Sequence, residues 1–149
     1  MESCHPCSEV SHRNKKQPAK WRAAFIIKCM DIDNPVIQLC LQGARAELEH
    51  RLDDARQFYL QAWEAQADDY DACIAAHYVA RFQETPEETL RWNQLALQHA
   101  DKVLDGRATD FYPSLYLNLG KSYEDLSDLI RSKIYYQLAA ELGVEHQPD

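Results

Sequence analysis

The amino-acid sequence predicts an all-α fold in which six helices form three antiparallel helical hairpins. Three observations point there. Glycine is scarce, four in 149 residues, and long stretches of Ala, Leu, Glu, Gln and Arg carry helical spacing. Alternating apolar and polar strand patterns are nearly missing. Helix-start signals recur at intervals that leave only short connections, and short connections favour antiparallel neighbours.

The first helix opens at Asn34-Pro35, a side-chain cap followed by a proline at the position where its missing N–H costs nothing. Val36, Ile37, Leu39, Cys40, Leu41 and Ala44 supply its apolar face, which continues to Leu48. A second helix restarts at Leu52-Asp53 and carries Ala55, Tyr59, Ala62 and Trp63. After an acidic break at Asp68 and Asp69, a third holds Cys73, Ile74, Ala76, His77, Ala80 and Arg81. Thr85-Pro86-Glu87-Glu88 is a capping box with proline at the first helical position. It opens a fourth helix expected to run to about Leu104, where Asp105-Gly106-Arg107 breaks it. Asp110 is the expected cap of the fifth helix, with Leu115, Tyr116 and Leu119. The sixth follows a turn near Leu126–Asp128 and carries Ile130, Ile134, Leu138 and Leu142 on one side, stopping near Gly143.

Composition excludes several functions. The formal net charge of -8 repels a phosphate backbone, so no nucleic-acid partner is expected. No apolar run approaches the roughly 20 residues of a membrane span, and no membrane partner is expected. Gly43, Gly106, Gly120 and Gly143 cannot be assembled into a phosphate-cradling loop, and no cofactor is expected. Five cysteines, an odd number without a secretion signal, argue for a reducing cytoplasmic setting. The polar residues 1–20 and the short apolar stretch 21–29 read together as a flexible N-terminal extension. The folded domain is expected over residues 30–143, with a tail at 144–149.

A weak internal echo runs through that domain. Gly43, Ala55, Tyr59 and Ala62 are matched by Gly120, Ser132, Tyr136 and Ala139, each 77 residues later. Small groups let paired helices cross closely while the tyrosine fills the gap beside them. With Tyr116, Leu119, Gly120 and Tyr123 in the last unit and Leu39 in the first, this pattern resembles the tetratricopeptide repeat, a 34-residue helix–turn–helix unit. The resemblance covers about residues 36–143. Its middle unit is degenerate, with His77 at the glycine position and Thr89 and Asn93 at the small and aromatic positions.

The resemblance implies a right-handed superhelical stack of hairpins whose concave side receives a peptide or partner protein. It projects Ile37, Cys40, Ala44 and Glu47, then Asp71, Ile74, Tyr78 and Arg81, then Ser114, Leu117, Lys121 and Glu124 onto that side. The expected partner-binding residues are Glu47, Asp71, Tyr78, Arg81, Asn118, Lys121 and Glu124. Cys40 and Ala44 stand where some family members have a lysine and asparagine that grip a C-terminal carboxylate, so that clamp is not expected. Arg81 and Lys121 can pair with an acidic ligand group or with neighbouring Asp and Glu.

The chain is therefore read as a non-catalytic interaction scaffold, with no catalytic and no metal residues. Two other readings stand beside it. A homodimer would form if the apolar side of the sixth helix were uncovered. A small metal-dependent or histidine-based enzyme would draw on Cys4-His5-Pro6-Cys7, His12 and Cys29 as zinc ligands, or on His77 and Arg81, one helical turn apart.

Overall fold

A computed structural model describes residues 31–144. The expectations placed on residues 1–29, including the Cys4–Cys7 zinc reading, lie outside the described residues, as do those on 145–149. Among the described residues the structure is all-helical, with six α-helices: α1 Pro35–Leu48, α2 Leu52–Glu64, α3 Asp69–Val79, α4 Pro86–Ala100, α5 Tyr112–Asp125 and α6 Leu129–Glu141. Two short 3-10 turns, Ala80–Phe82 and Thr109–Phe111, precede the connections into α4 and α5. No helix there is long and apolar enough to cross a membrane.

Most starts follow from local chemistry. Asn34 Oδ1 accepts from the N–H groups of Val36 (2.8 Å) and Ile37 (3.3 Å). Asp68 caps α3 through Asp71 N–H (2.9 Å), Thr85 caps α4 through Glu88 N–H (3.2 Å), and Asp128 caps α6 through Arg131 N–H (3.1 Å). Each satisfies a donor that the first helical turn leaves without a partner. Three boundaries differ from expectation. The third helix ends at Val79, so that Ala80 and Arg81 fall in the 3-10 turn after it. The fourth helix stops at Ala100 rather than Leu104. Ala100 is its last buried side chain, and Leu104 is exposed, so the extra turn would have had nothing to pack on. Asp110 does not cap α5, because it sits inside the 3-10 turn and Phe111 occupies the cap position without a side-chain bond.

Each helix packs on its chain neighbours, most extensively α1 on α2, α3 on α4 and α5 on α6. The 77-residue echo is expressed as two matching clasps. Tyr59 lies over Gly43, and Tyr136 over Gly120. The Tyr59 hydroxyl donates to Glu47 and the Tyr136 hydroxyl donates to Glu124 (2.9 Å). Glu47 and Glu124 each follow their glycine by one turn, so a carboxylate belongs to the repeat as well. Ala55, Ala62 and Ala139 are fully buried beside these clasps, which is the close approach that small residues permit. Between them lies α3, buried on nearly every face, from Tyr70 through Ala76.

Candidate functional site

The structure assigns each expected partner-binding residue an internal contact. Glu47 accepts from the Tyr59 hydroxyl and from Arg81 Nη2 at 2.7 Å. Tyr78 stacks on Tyr59, with ring centroids 5.0 Å apart. Lys121 pairs with Asp125 (2.9 Å) and Glu124 (3.5 Å), all three well exposed. Glu124 also holds Tyr136. Burial and the hydrogen bond to a carboxylate push the Tyr59 and Tyr136 phenols well above their ordinary range, so both stay hydrogen-bond donors.

Asp71 departs from its expected place on an open face. It is 5% exposed, and its carboxylate is consumed within the domain. Oδ1 accepts from Asn34 Nδ2 (2.6 Å) and Oδ2 from the Ala67 N–H (3.1 Å). Ile37, Cys40 and Ile74, projected onto the same side, are buried too. Ile37 and Cys40 belong to the packed side of α1, and Asp71 and Ile74 to α3, a central helix with no outward stripe for periodicity to find.

Three of the expected residues do converge. Arg81, Asn118 and Lys121 border an open depression of ≈ 180 Å³ between the end of α3, α4 and α5, with Asn93 and Ser122 in its lining. Asn93 is 3% exposed, and its Oδ1 has no hydrogen-bond partner. The orientation of that amide is set by its neighbours. Ser122 Oγ donates to the Asn118 carbonyl (2.9 Å), so it can only accept from Asn93 Nδ2 (2.9 Å). Turning the amide over would set two acceptors, Asn93 Oδ1 and Ser122 Oγ, against each other. A buried acceptor without a donor costs roughly 1–3 kcal/mol, and Asn93 lines a depression rimmed by polar side chains.

Asn93 follows His77 by sixteen residues, the offset at which Tyr59 follows Gly43 and Tyr136 follows Gly120. Where those two offsets carry an aromatic ring packed on a glycine, this one carries an amide. The sequence marks Asn93 only as a mismatch at the aromatic position and gives no reason to place it among the expected partner-binding residues. Asn118 Nδ2 lies 3.4 Å from His77 Nδ1. Burial, with Arg81 nearby, pushes the His77 imidazole down to about 4, so it is neutral at physiological pH, and its tautomer sets which partner donates in this contact.

Other chemically suggestive groups are engaged elsewhere. Burial pushes the Cys40 and Cys73 thiols up to about 12, so neither is a thiolate near neutral pH. His99 Nδ1 lies 2.7 Å from Asp69 Oδ1, and Trp63 meets Trp92 edge-on with centroids 5.0 Å apart. These contacts tie α2, α3 and α4 together. Compared with known proteins, this chain matches no protein-family model, no curated protein and no solved structure.

Proposed function

We propose that this protein is a non-catalytic scaffold, built as a tetratricopeptide-like stack of three hairpins, that binds a segment of a partner protein at the depression between α3, α4 and α5. The observation that carries this reading is the orphaned, buried Asn93 Oδ1 beside Arg81, Asn118 and Lys121. A ligand N–H, from a peptide backbone or an amide side chain, would supply the missing donor. Arg81 and Lys121 are about half exposed, and such ion pairs are worth only about 0–1 kcal/mol. Either cation can therefore exchange its present partner for a ligand carboxylate. The two Gly–Tyr–Glu clasps and the buried small residues around them support the stacked arrangement, since they repeat the same helix-to-helix contact 77 residues apart.

The test is a random-peptide display selection against the full chain, followed by fluorescence anisotropy with the enriched peptides. Asn93→Leu, and separately the Arg81→Ala, Lys121→Ala pair, should weaken binding about tenfold, the worth of one buried hydrogen bond or two exposed charge contacts. Enriched peptides that bind all variants equally would refute the assignment of this depression.

A further inference from the structure

The last helix differs from its own earlier copy in a way the fold does not require. Moving back 77 residues from α6 leads to α2, so Ile130, Ile134 and Leu138 correspond to Asp53, Gln57 and Gln61. Those three α2 residues are exposed. The face through which α2 meets α3 and α4 is a different one: Arg56 reaches toward Glu84, Tyr59 stacks on Tyr78, and Trp63 meets Trp92. In α6 the counterparts of Leu60 and Trp63 on that face are Gln137 and Ala140, smaller or polar.

The apolar row of α6 is therefore not the leftover of a missing fourth hairpin. It occupies a side that the first copy leaves to water, opposite the buried Ser132 and Ala139. Ile130 is 79% exposed and Ile134 and Leu142 each 52%. Leu138 between them is half-buried, but folding gains little from apolar side chains as open as Ile130.

From this we infer that α6 is a self-association surface on which a second copy of the chain docks, antiparallel, about a two-fold axis near residues 136 and 137. The row Ile130, Ile134, Leu138, Leu142 repeats every four residues, and in that arrangement Ile130 meets Leu142 of the partner while Ile134 meets its Leu138. A second row beside it, Lys133, Gln137, Glu141, has the same spacing and runs from basic through neutral to acidic. Antiparallel pairing sets Lys133 of each copy against Glu141 of the other, and Gln137 against itself. A parallel pairing would place like charges together.

Both charged groups are available. Lys133 forms no ion pair among the described residues, and Glu141 has one weak contact, from Gln137 Nε2 at 3.4 Å. The two-fold symmetry makes the surface complementary to itself, the defining property of an isologous contact. A helix of this length is about 20 Å long, so one face buries less than a standard interface. The dimer should accordingly be weak, in the micromolar range or above.

Sedimentation velocity of the full chain, reduced, from about 5 µM to about 500 µM spans that range. The wild type should move from monomer to dimer with concentration. Ile134→Glu should weaken association at least about tenfold, since it sets a charge in the apolar row. Lys133→Glu or Glu141→Lys should each weaken it about threefold or more, because each loses two exposed pairs and creates two repulsions. The double exchange Lys133→Glu, Glu141→Lys should restore it. Circular dichroism melting of every variant checks the fold, which these exposed positions should leave unchanged. A chain that stays monomeric throughout overturns the inference and leaves the row to a different protein. A dimer indifferent to Ile134→Glu, or single exchanges that the double exchange does not rescue, overturns it equally.

Discussion

Replacing Gly43 by alanine sets two effects of opposite sign against each other. Alanine gains about 1 kcal/mol of helix propensity over glycine. Its Cβ, however, would lie 2.7 Å from both Cδ1 and Cζ of Tyr59, and closer still to Cε1. Carbon atoms prefer about 3.5–4.0 Å, so the ring would have to withdraw by about 1 Å. It has little room. Tyr59 is 1% exposed, its hydroxyl is held by Glu47, and Tyr78 and Phe82 lie with ring centroids at 5.0 and 5.6 Å. Overpacking of this kind costs about 1–3 kcal/mol, and loosening a hydrogen bond to a carboxylate adds about 1.5 kcal/mol. Set against the propensity gain, Gly43→Ala should destabilise by about 2–3 kcal/mol, or about 5–10 °C in Tm for a chain of this size. Urea and thermal unfolding followed by circular dichroism measure it. In a Tyr59→Leu background the same substitution should become neutral or stabilising. A Gly43→Ala protein as stable as the wild type, or a loss that persists unchanged without the tyrosine, would refute the clasp.

The matching substitution Gly120→Ala should cost about half as much in the same unfolding assay, because Tyr136 is only partly buried and its ring can swing outward. Asn93→Leu should leave stability unchanged or raise it by about 1 kcal/mol, since it removes a buried acceptor without a donor, while weakening peptide binding about tenfold; a large loss of stability in urea would show that Oδ1 is satisfied. The depressed pKa of His77 means that the unfolded chain takes up a proton which the folded one refuses. Stability should be complete above about pH 6.5 and fall as pH drops toward about 4. Urea midpoints at pH 7.5 and 5 should therefore show a loss on the order of 1 kcal/mol, one that His77→Gln lacks. Thr85→Ala should cost about 1 kcal/mol through loss of the α4 cap, again read from urea unfolding.

Local chemistry made much of the fold legible. Asn34-Pro35, Thr85-Pro86 and the Gly43/Gly120 echo each encode a short-range or pairwise requirement, and each appears as an element or a clasp. What periodicity could not supply was the environment of a central helix. Along α3 nearly every side is buried whatever its polarity, so the pattern does not separate an open position from a covered one, and Asp71 is an internal brace rather than an outward residue. The sequence likewise offered Arg81, Asn118 and Lys121 through their register but not Asn93. Asn93 shows in the pattern only as a mismatch at the aromatic position, and a mismatch does not tell whether the amide there is buried or bonded. The meeting of Trp63 with Trp92 and of His99 with Asp69 depends on the pairing of separate helices, which spacing along one helix does not encode.

The brace formed by Asp71 has a consequence for how the domain opens. Its two carboxylate oxygens hold Asn34, which in turn holds the Val36 and Ile37 amides, and the Ala67 amide ahead of α3. Fraying of the first turn of α1 would strand a carboxylate in apolar surroundings, so it is coupled to loosening of the turn before α3. In hydrogen–deuterium exchange the amides of Val36 and Ala67 would then gain and lose protection together, as one cooperative opening unit drawn from two distant stretches of chain.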